Sequence, residues 1–153
     1  MTDPTIIEKE IWIDAAPAEI FDYLVDPQKL RLWCCVEAQV DARVGGAYRF
    51  NITGANIASG TFREISRPHR VVYTWGWEGS ESVPVGSSTV EITLAEVAGR
   101  TRLHFIHRGL SEDAAALHEK GWSHYYGRLA LAATGADAGP DSNAVPAGER
   151  KSL

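Results

Sequence analysis

The chain has 153 residues, 44% of them hydrophobic and 23% charged, and a formal net charge of −5. This length and composition indicate one globular domain that buries its own core. A negative chain without a basic stripe is not expected to bind nucleic acid, since that binding depends on neutralising phosphates. We see no basic and apolar leader and no apolar run near the ~20 residues of a membrane span, so we expect a cytoplasmic protein.

The two cysteines, Cys34 and Cys35, are adjacent in the sequence. Their Cα atoms lie only ~3.8 Å apart across a trans peptide, which is too close for an unstrained disulfide. We therefore expect two reduced thiols near the core. Neither cysteine has further metal-ligating residues beside it in the sequence, so we expect no metal site. The sequence shows no P-loop and no G-x-G-x-x-G motif, and we expect no cofactor.

The first half of the domain begins with a strand and two short helices. Residues 6–14 alternate isoleucines with polar or aromatic side chains, which predicts a strand. Pro17 suits the first position of a helix, with Glu19 in the same turn. Asp26 and Pro27 then end this helix and begin a second one as N-cap and first residue.

Alternating segments separated by turn residues follow the two helices. Gly45-Gly46 and Ala98-Gly99 are turn or bulge signals between such segments. We predict six strands, over residues 36–44, 47–52, 58–65, 69–77, 88–94 and 101–108.

A long helix is predicted next, with Ser111 as its N-cap and its pattern ending at Ala133. One stripe of this helix carries two large aromatic side chains and a histidine where a core helix would carry leucines. Gly121 lies beside the stripe and indicates a close approach of the backbone to another group. The stripe therefore predicts a helix that covers a cavity. Its residues are His118, Trp122, Tyr125 and Leu129.

These elements predict an α+β fold in which a curved antiparallel sheet of seven strands wraps around the long C-terminal helix. The order is strand, two helices, six strands and helix. We assign residues 1–133 to one domain with a hydrophobic cavity between sheet and helix. Residues 134–153 lack aromatic side chains and are rich in small and polar residues, so we predict a flexible C-terminal tail.

Several motifs together resemble a known family. They are IDAAPAEIF at 13–21, VGGAYRF at 44–50, GTFREISRPHRVVYTW at 60–75, TRL leading to His107, and His118 followed by Gly121-Trp122. In this order the motifs resemble the activator of heat-shock protein 90 ATPase homologue-like family. That family belongs to the START, polyketide-cyclase and birch-pollen-allergen superfamily (SRPBCC), which has the helix-grip fold. The resemblance covers residues 6–133 and implies a hydrophobic ligand cavity, without implying one activity.

The candidate ligand-binding residues are aromatic side chains and two histidines. The aromatic side chains either wall the cavity or pack in an ordinary core. His107 and His118 either face the cavity, as groups that orient a ligand or act as a general base, or satisfy local hydrogen bonds. His104 and His107 point to opposite faces of a strand, which argues against a metal site. The aromatic candidates are Trp75, Trp77, Phe105, Trp122 and Tyr125.

Three functions fit this pattern, and the first is our main hypothesis. It is a non-catalytic protein that binds a small hydrophobic or aromatic molecule. The second is an enzyme of the cyclase, hydrolase or dehydratase type that uses the cavity histidines, although no nucleophile motif is visible. The third is a chaperone-associated interaction module. Trp12, on the polar face of the first strand, is the one hint of an exposed patch or a homodimer contact.

Overall fold

The structure is a computed structural model that describes residues 3–153. Within these residues it contains seven strands and three α-helices in the predicted order. The strands are Ile7–Ile13 (β1), Glu37–Val40 (β2), Ala47–Asn51 (β3), Ile57–Ser66 (β4), Arg70–Trp75 (β5), Ser88–Val97 (β6) and Arg100–Arg108 (β7). The helices are Pro17–Val25 (α1), Pro27–Leu30 (α2) and Glu112–Ala133 (α3).

All seven strands form one antiparallel sheet in the order β1-β7-β6-β5-β4-β3-β2. The first and last strands are neighbours, with Ile7 opposite His107. A register shift between Phe62 and Glu64 interrupts the pairing of β4 with β5, and such a bulge increases strand bending. The predicted α+β helix-grip fold is confirmed, with a curved seven-stranded sheet against one long helix.

The core lies between the inner face of the sheet and α3. Along β6 the inward residues Val90, Ile92 and Leu94 are buried, while the residues between them are only partly buried. This alternation removes one apolar face from water, which is the main driving force for the layered fold.

The predicted helix starts are confirmed. The Asp26 side chain accepts a hydrogen bond from the backbone of Gln28 at the start of α2, and the Ser111 hydroxyl accepts one from the backbone of Ala114 at the start of α3. These caps satisfy donors that a helix N-terminus leaves without an intrahelical partner.

Two strands are shorter than predicted because the backbone turns away from the sheet. The second strand ends at Val40, and a tight turn leads to Gly46, where an added Cβ would lie 2.1 Å from the Asp41 carbonyl oxygen. The fifth strand ends at Trp75 because Gly76 packs against the Pro84 carbonyl, 2.0 Å from where a Cβ would be. No side chain fits at either place.

Residues 136–153, which we call the C-terminal strap, return from the end of α3 across the β3–β4 turn. The backbone N–H of Val145 donates to the Thr53 carbonyl at 2.8 Å, and the Asn51 side chain donates to the Lys151 carbonyl at 2.8 Å. The flexibility that the composition predicts for residues 134–153 stays a prediction. Composition does not reveal the strap's hydrogen-bond partners because they lie about 90–100 residues earlier in the chain.

Candidate ligand-binding site

The candidate site is a cavity of about 530 Å³ between the end of β5, the loop after it and the first half of α3. This volume lies within the usual range for sites that hold small molecules. Most of the wall is aromatic or otherwise apolar, and Leu117, which is 71% exposed, lies at its rim. The lining residues are Cys34, Ile52, Thr53, Asn56, Trp75, Trp77, Glu78, Gly79, Ser80, Leu117, His118, Gly121, Trp122, Tyr125 and Asn143.

Five of the seven predicted residues therefore line this cavity, and two do not. The five are Trp75, Trp77, His118, Trp122 and Tyr125. Phe105 and His107 are both fully buried and lie behind the wall. Phe105 packs against Trp122 with ring centroids 4.7 Å apart, so it supports the wall from the core side and is absent from the cavity surface. The expectation that His107 faces the cavity is corrected in the same way, because β7 places it beneath the Trp122 ring.

His118 is the one histidine in the cavity wall. Its Nδ1 lies 2.7 Å from the Ala114 carbonyl one helical turn earlier, and therefore carries the proton. Its Nε2 accepts hydrogen bonds from the indole N–H groups of Trp77, at 2.9 Å, and Trp75, at 3.4 Å. Burial lowers the pKa of His118, against the raising effect of the Ala114 carbonyl. The ring is therefore neutral at pH 7. The lone pair on its Nε2 already accepts hydrogen bonds from the two indole N–H groups.

His107 is held by a second set of neutral hydrogen bonds. Its Nδ1 accepts from the indole N–H of Trp122 at 3.0 Å, and its Nε2 lies 2.9 Å from the Ser88 hydroxyl. The Ser88 hydroxyl donates onward to the Trp75 carbonyl at 2.9 Å. Burial, and secondarily the nearby His118, lowers the pKa of His107 to about 3. Both histidines thus make local hydrogen bonds, and His118 also lies in the cavity wall.

The single acidic group in the wall is Glu78, which sequence reasoning missed. Arg49 contacts it through two hydrogen bonds of 2.8 Å, and the Ser59 hydroxyl also donates to it. Hydrogen bonding from Arg49 lowers the pKa of Glu78 to about 2. Strand alternation places Arg49 of β3 and Ser59 of β4 on the same outward face, which could have suggested a polar cluster there. Glu78 lies in a loop without a hydrophobic period, so the sequence does not predict that its side chain joins this cluster.

Cys34 also lines the cavity, while Cys35 faces the other side of the chain. Both are buried free thiols, as predicted. The contact with Cys35, together with burial, raises the pKa of the Cys34 thiol well above its usual range. Cys34 is therefore protonated at pH 7 and contributes an apolar, polarisable surface to the wall.

Gly121 lies in the cavity wall, but nothing within 4 Å would meet a Cβ added there. No other part of the chain that the structure describes therefore makes the close approach that Gly121 predicts. The glycine instead leaves open space beside the rings of Trp122 and His118.

Part of the cavity wall comes from the C-terminal strap through Asn143. The strap is fixed there by Asp141, which accepts hydrogen bonds from the Tyr125 hydroxyl and from His124 Nε2, both at 2.7 Å. Burial acts to raise the pKa of Asp141, but these hydrogen bonds, with one from the Asn143 backbone, leave it lowered. The ionised carboxylate thus holds the strap to α3.

Two further classes of site are not found. Within residues 3–153 no group of three or more histidine, cysteine or acidic side chains is placed to hold a metal ion. Likewise, no helix in that range is both long enough and apolar enough to cross a bilayer.

Comparisons with solved structures return the same fold. An AHSA1-like protein from Rhizobium etli is 46% identical, with a TM-score of 0.73 over 92% of this chain and 89% of that one. A putative protein of the dynemicin biosynthetic locus, DynU16, has a TM-score of 0.77 at 19% identity over 90% of this chain. This chain spans only 50% of that protein's length. The Aha1 dimer from Colwellia psychrerythraea has a TM-score of 0.73 at 21% identity, over 83% of this chain and 94% of that one.

Sequence comparison gives the family directly. No curated protein matches the chain. One family model matches residues 14–134, and it describes the family as Activator of Hsp90 ATPase homolog 1-like protein. These residues include every strand after β1 and all three α-helices. The match, together with the 46% identical relative, shows that this chain belongs to the AHSA1-like family, a branch of the helix-grip superfamily.

Proposed function

We propose that this protein binds one small, uncharged hydrophobic or aromatic molecule in the cavity between β5 and α3. The observation that carries the proposal is the cavity itself, about 530 Å³ in volume and walled by the rings of Trp75, Trp77 and Trp122. Ligand sites are typically concave and mostly apolar, with a few placed polar groups. Here the polar groups at the rim are uncharged, except for Glu78.

The charge of the wall supports an uncharged ligand. Among the cavity-lining residues there is no lysine or arginine, His118 is neutral, and Glu78 is already paired with Arg49. A buried anionic ligand group would therefore have no cation to compensate the loss of its hydration. The indole N–H groups of Trp75 and Trp77 are directed at His118, so they leave their ring surfaces for a ligand.

The enzyme alternative is less well supported by these contacts. General acid–base catalysis needs a group that can exchange a proton with the ligand. His107 lies behind the wall, and the free lone pair of His118 already accepts indole N–H groups. An enzyme that uses both histidines would have to break these contacts first, whereas a binding protein uses them as they are.

The interaction-module alternative depends on the outer surface and not on the cavity. Trp12 is 40% exposed on edge strand β1, and the Arg100 guanidinium lies 5.3 Å from its ring centroid. The solved relative from Colwellia psychrerythraea is a dimer. We keep a homodimer through this patch as a proposal, which sedimentation of the wild type and Trp12→Ser would test. A dimer that survives Trp12→Ser would exclude this patch as the contact.

The cavity proposal is best tested by filling the space beside Gly121. The substitution Gly121→Leu adds a side chain where nothing lies within 4 Å, so it should narrow the cavity without disturbing the core. We expect the Kd for Nile red or 2-naphthol, followed by fluorescence, to rise by about tenfold or more, equivalent to about 1.4 kcal/mol. The wild type should also bind 2-naphthol more tightly than 2-naphthoate.

Gly127→Leu is the matched control. Gly127 is on the same helix, its Cβ position is also open, and it does not line this cavity. Both substitutions gain the same helix propensity, so thermal unfolding should respond alike while only Gly121→Leu loses probe binding. Equal probe affinity in the two folded variants would refute the proposed site.

A further inference from the structure

A second cavity, of about 570 Å³, lies between α2, α3 and the C-terminal strap. It shares no lining residue with the aromatic cavity. Three arginines, Arg31, Arg128 and Arg150, line it together. This concentration of positive charge is notable in a chain whose net charge is −5.

Arg128 is held in place by carbonyl groups. Its Nε donates to the Trp33 carbonyl at 3.0 Å, its Nη1 to the Ala138 carbonyl at 3.1 Å and its Nη2 to the Gly139 carbonyl at 3.0 Å. All three partners are neutral. A guanidinium group has five N–H donors, so two remain for another partner. The half-buried Arg128 is thus rigidly positioned while its charge is not neutralised.

The other two arginines add charge without a compensating acid. Arg150 donates from Nε to the Val145 carbonyl at 3.0 Å, and Arg31 follows the last residue of α2. Among residues 3–153, no carboxylate lies within 4.0 Å of the charged nitrogens of any of the three. Arg49, by contrast, pairs with Glu78 of the loop after β5, and Arg70 pairs with Glu64 and Glu91 on neighbouring strands.

The one acid in the wall of the second cavity is Asp141. Its two carboxylate oxygens already accept from His124 and the Tyr125 hydroxyl. Three guanidinium groups against one engaged carboxylate leave the cavity with an excess of positive charge. Arg31 and Arg150 are exposed and Arg128 is half-buried, so an anion that enters the cavity from solvent gains charge-assisted contacts without displacing a carboxylate.

We propose that this second cavity is a binding site for a small polyvalent anion of the phosphate or polycarboxylate class. Guanidinium groups match the planar edges of such anions with paired, charge-assisted hydrogen bonds. Arg128 also holds Ala138 and Gly139 of the strap. A bound anion would therefore join α2, α3 and the strap, and it would strengthen the attachment of the strap to the domain.

The test is calorimetric titration of the full chain with inorganic pyrophosphate and, separately, citrate, at an ionic strength held constant with sodium chloride. We expect saturable binding of one anion per chain. Arg31→Gln should raise the Kd by about tenfold, since it removes one charge-assisted partner. Tighter pyrophosphate binding would assign the phosphate class, and tighter citrate binding the carboxylate class.

Arg102→Gln is the matched control. Arg102 is an exposed arginine on β7 that does not line the cavity, and its substitution removes the same charge as Arg31→Gln. Its Kd should equal that of the wild type. Absence of saturable binding, or an equal rise of the Kd in the two variants, would overturn the proposal. Should Arg31→Gln fail to fold, Arg150→Gln provides the same comparison.

Discussion

Trp122 of α3 donates its indole N–H to Nδ1 of His107 on β7 across a distance of 3.0 Å. From His107 the hydrogen bonds continue through Ser88 on β6 to the Trp75 carbonyl on β5. One buried neutral imidazole thus ties the cavity-covering helix to three neighbouring strands. The same contact keeps the Trp122 ring at the inner wall of the cavity.

The pH dependence of stability should reflect His107. Its pKa falls from the usual 6.5 to about 3 in the folded protein, so the unfolded chain takes up a proton first as the pH falls. The stability present above pH 6.5 is therefore lost progressively between pH 6.5 and 3. Between pH 7 and 5 we expect the free energy of unfolding, measured with urea, to drop by about 2 kcal/mol from this group.

His107→Gln is the appropriate comparison because an amide can accept from Trp122 and donate to Ser88 without titrating. It should lower stability at pH 7 but flatten the profile between pH 7 and 5. An unchanged slope in the variant would show that His107 is not the group responsible.

Trp122→Phe should cost stability through the lost N–H. The ring remains against Phe105 and Tyr126, but Nδ1 of His107 becomes an unsatisfied buried acceptor, at a cost of about 1–3 kcal/mol. Urea unfolding of Trp122→Phe, His107→Leu and the double variant would give the coupling free energy. We expect about 1 kcal/mol of coupling, and strict additivity would contradict the hydrogen bond.

Trp122→Ala should also weaken dye binding, with a stability loss of about 3–5 kcal/mol.

Tyr125→Phe should loosen the C-terminal strap while leaving the aromatic ring in the cavity wall. It removes the hydroxyl that donates to Asp141 at 2.7 Å. Amide hydrogen exchange of residues 138–145 should accelerate, because local opening costs less free energy. Protection in the β6–β7 pair should stay constant. Unchanged exchange of the strap would mean that this contact does not fasten it.

Cys34 offers a direct readout of cavity occupancy. It is 4% exposed and its raised pKa keeps it in the thiol form, so its reaction with iodoacetamide at pH 7.5 should be slow. In Cys35→Ser, where Cys34 is the only thiol, saturating 2-naphthol should slow alkylation further, as followed by mass spectrometry. Cys34→Ser, which leaves only Cys35, should show no such protection. Equal protection of both thiols would argue for general stabilisation instead.

Much of the fold follows from local sequence signals. Alternation along β6 and β7 predicts inward and outward faces because successive strand residues point to opposite sides. Ser111 and Asp26 predict helix starts because their side chains cap free backbone donors. The helical period alone puts His118, Trp122 and Tyr125 on one stripe of α3. These features depend on residues that are close together in the chain.

The tertiary structure decides which side chains reach the cavity and which partners they contact, and neither hydrophobic periodicity nor capping residues predict this. His107 and Phe105 share the inward face of β7, yet whether they reach the cavity depends on the Trp122 ring that covers them. Glu78 is neutralised by Arg49, 29 residues earlier, and the strap docks through Asp141 on Tyr125, 16 residues earlier. Local patterns predict which face a side chain takes, whereas its partners depend on hydrogen bonds and packing between segments that are distant in sequence.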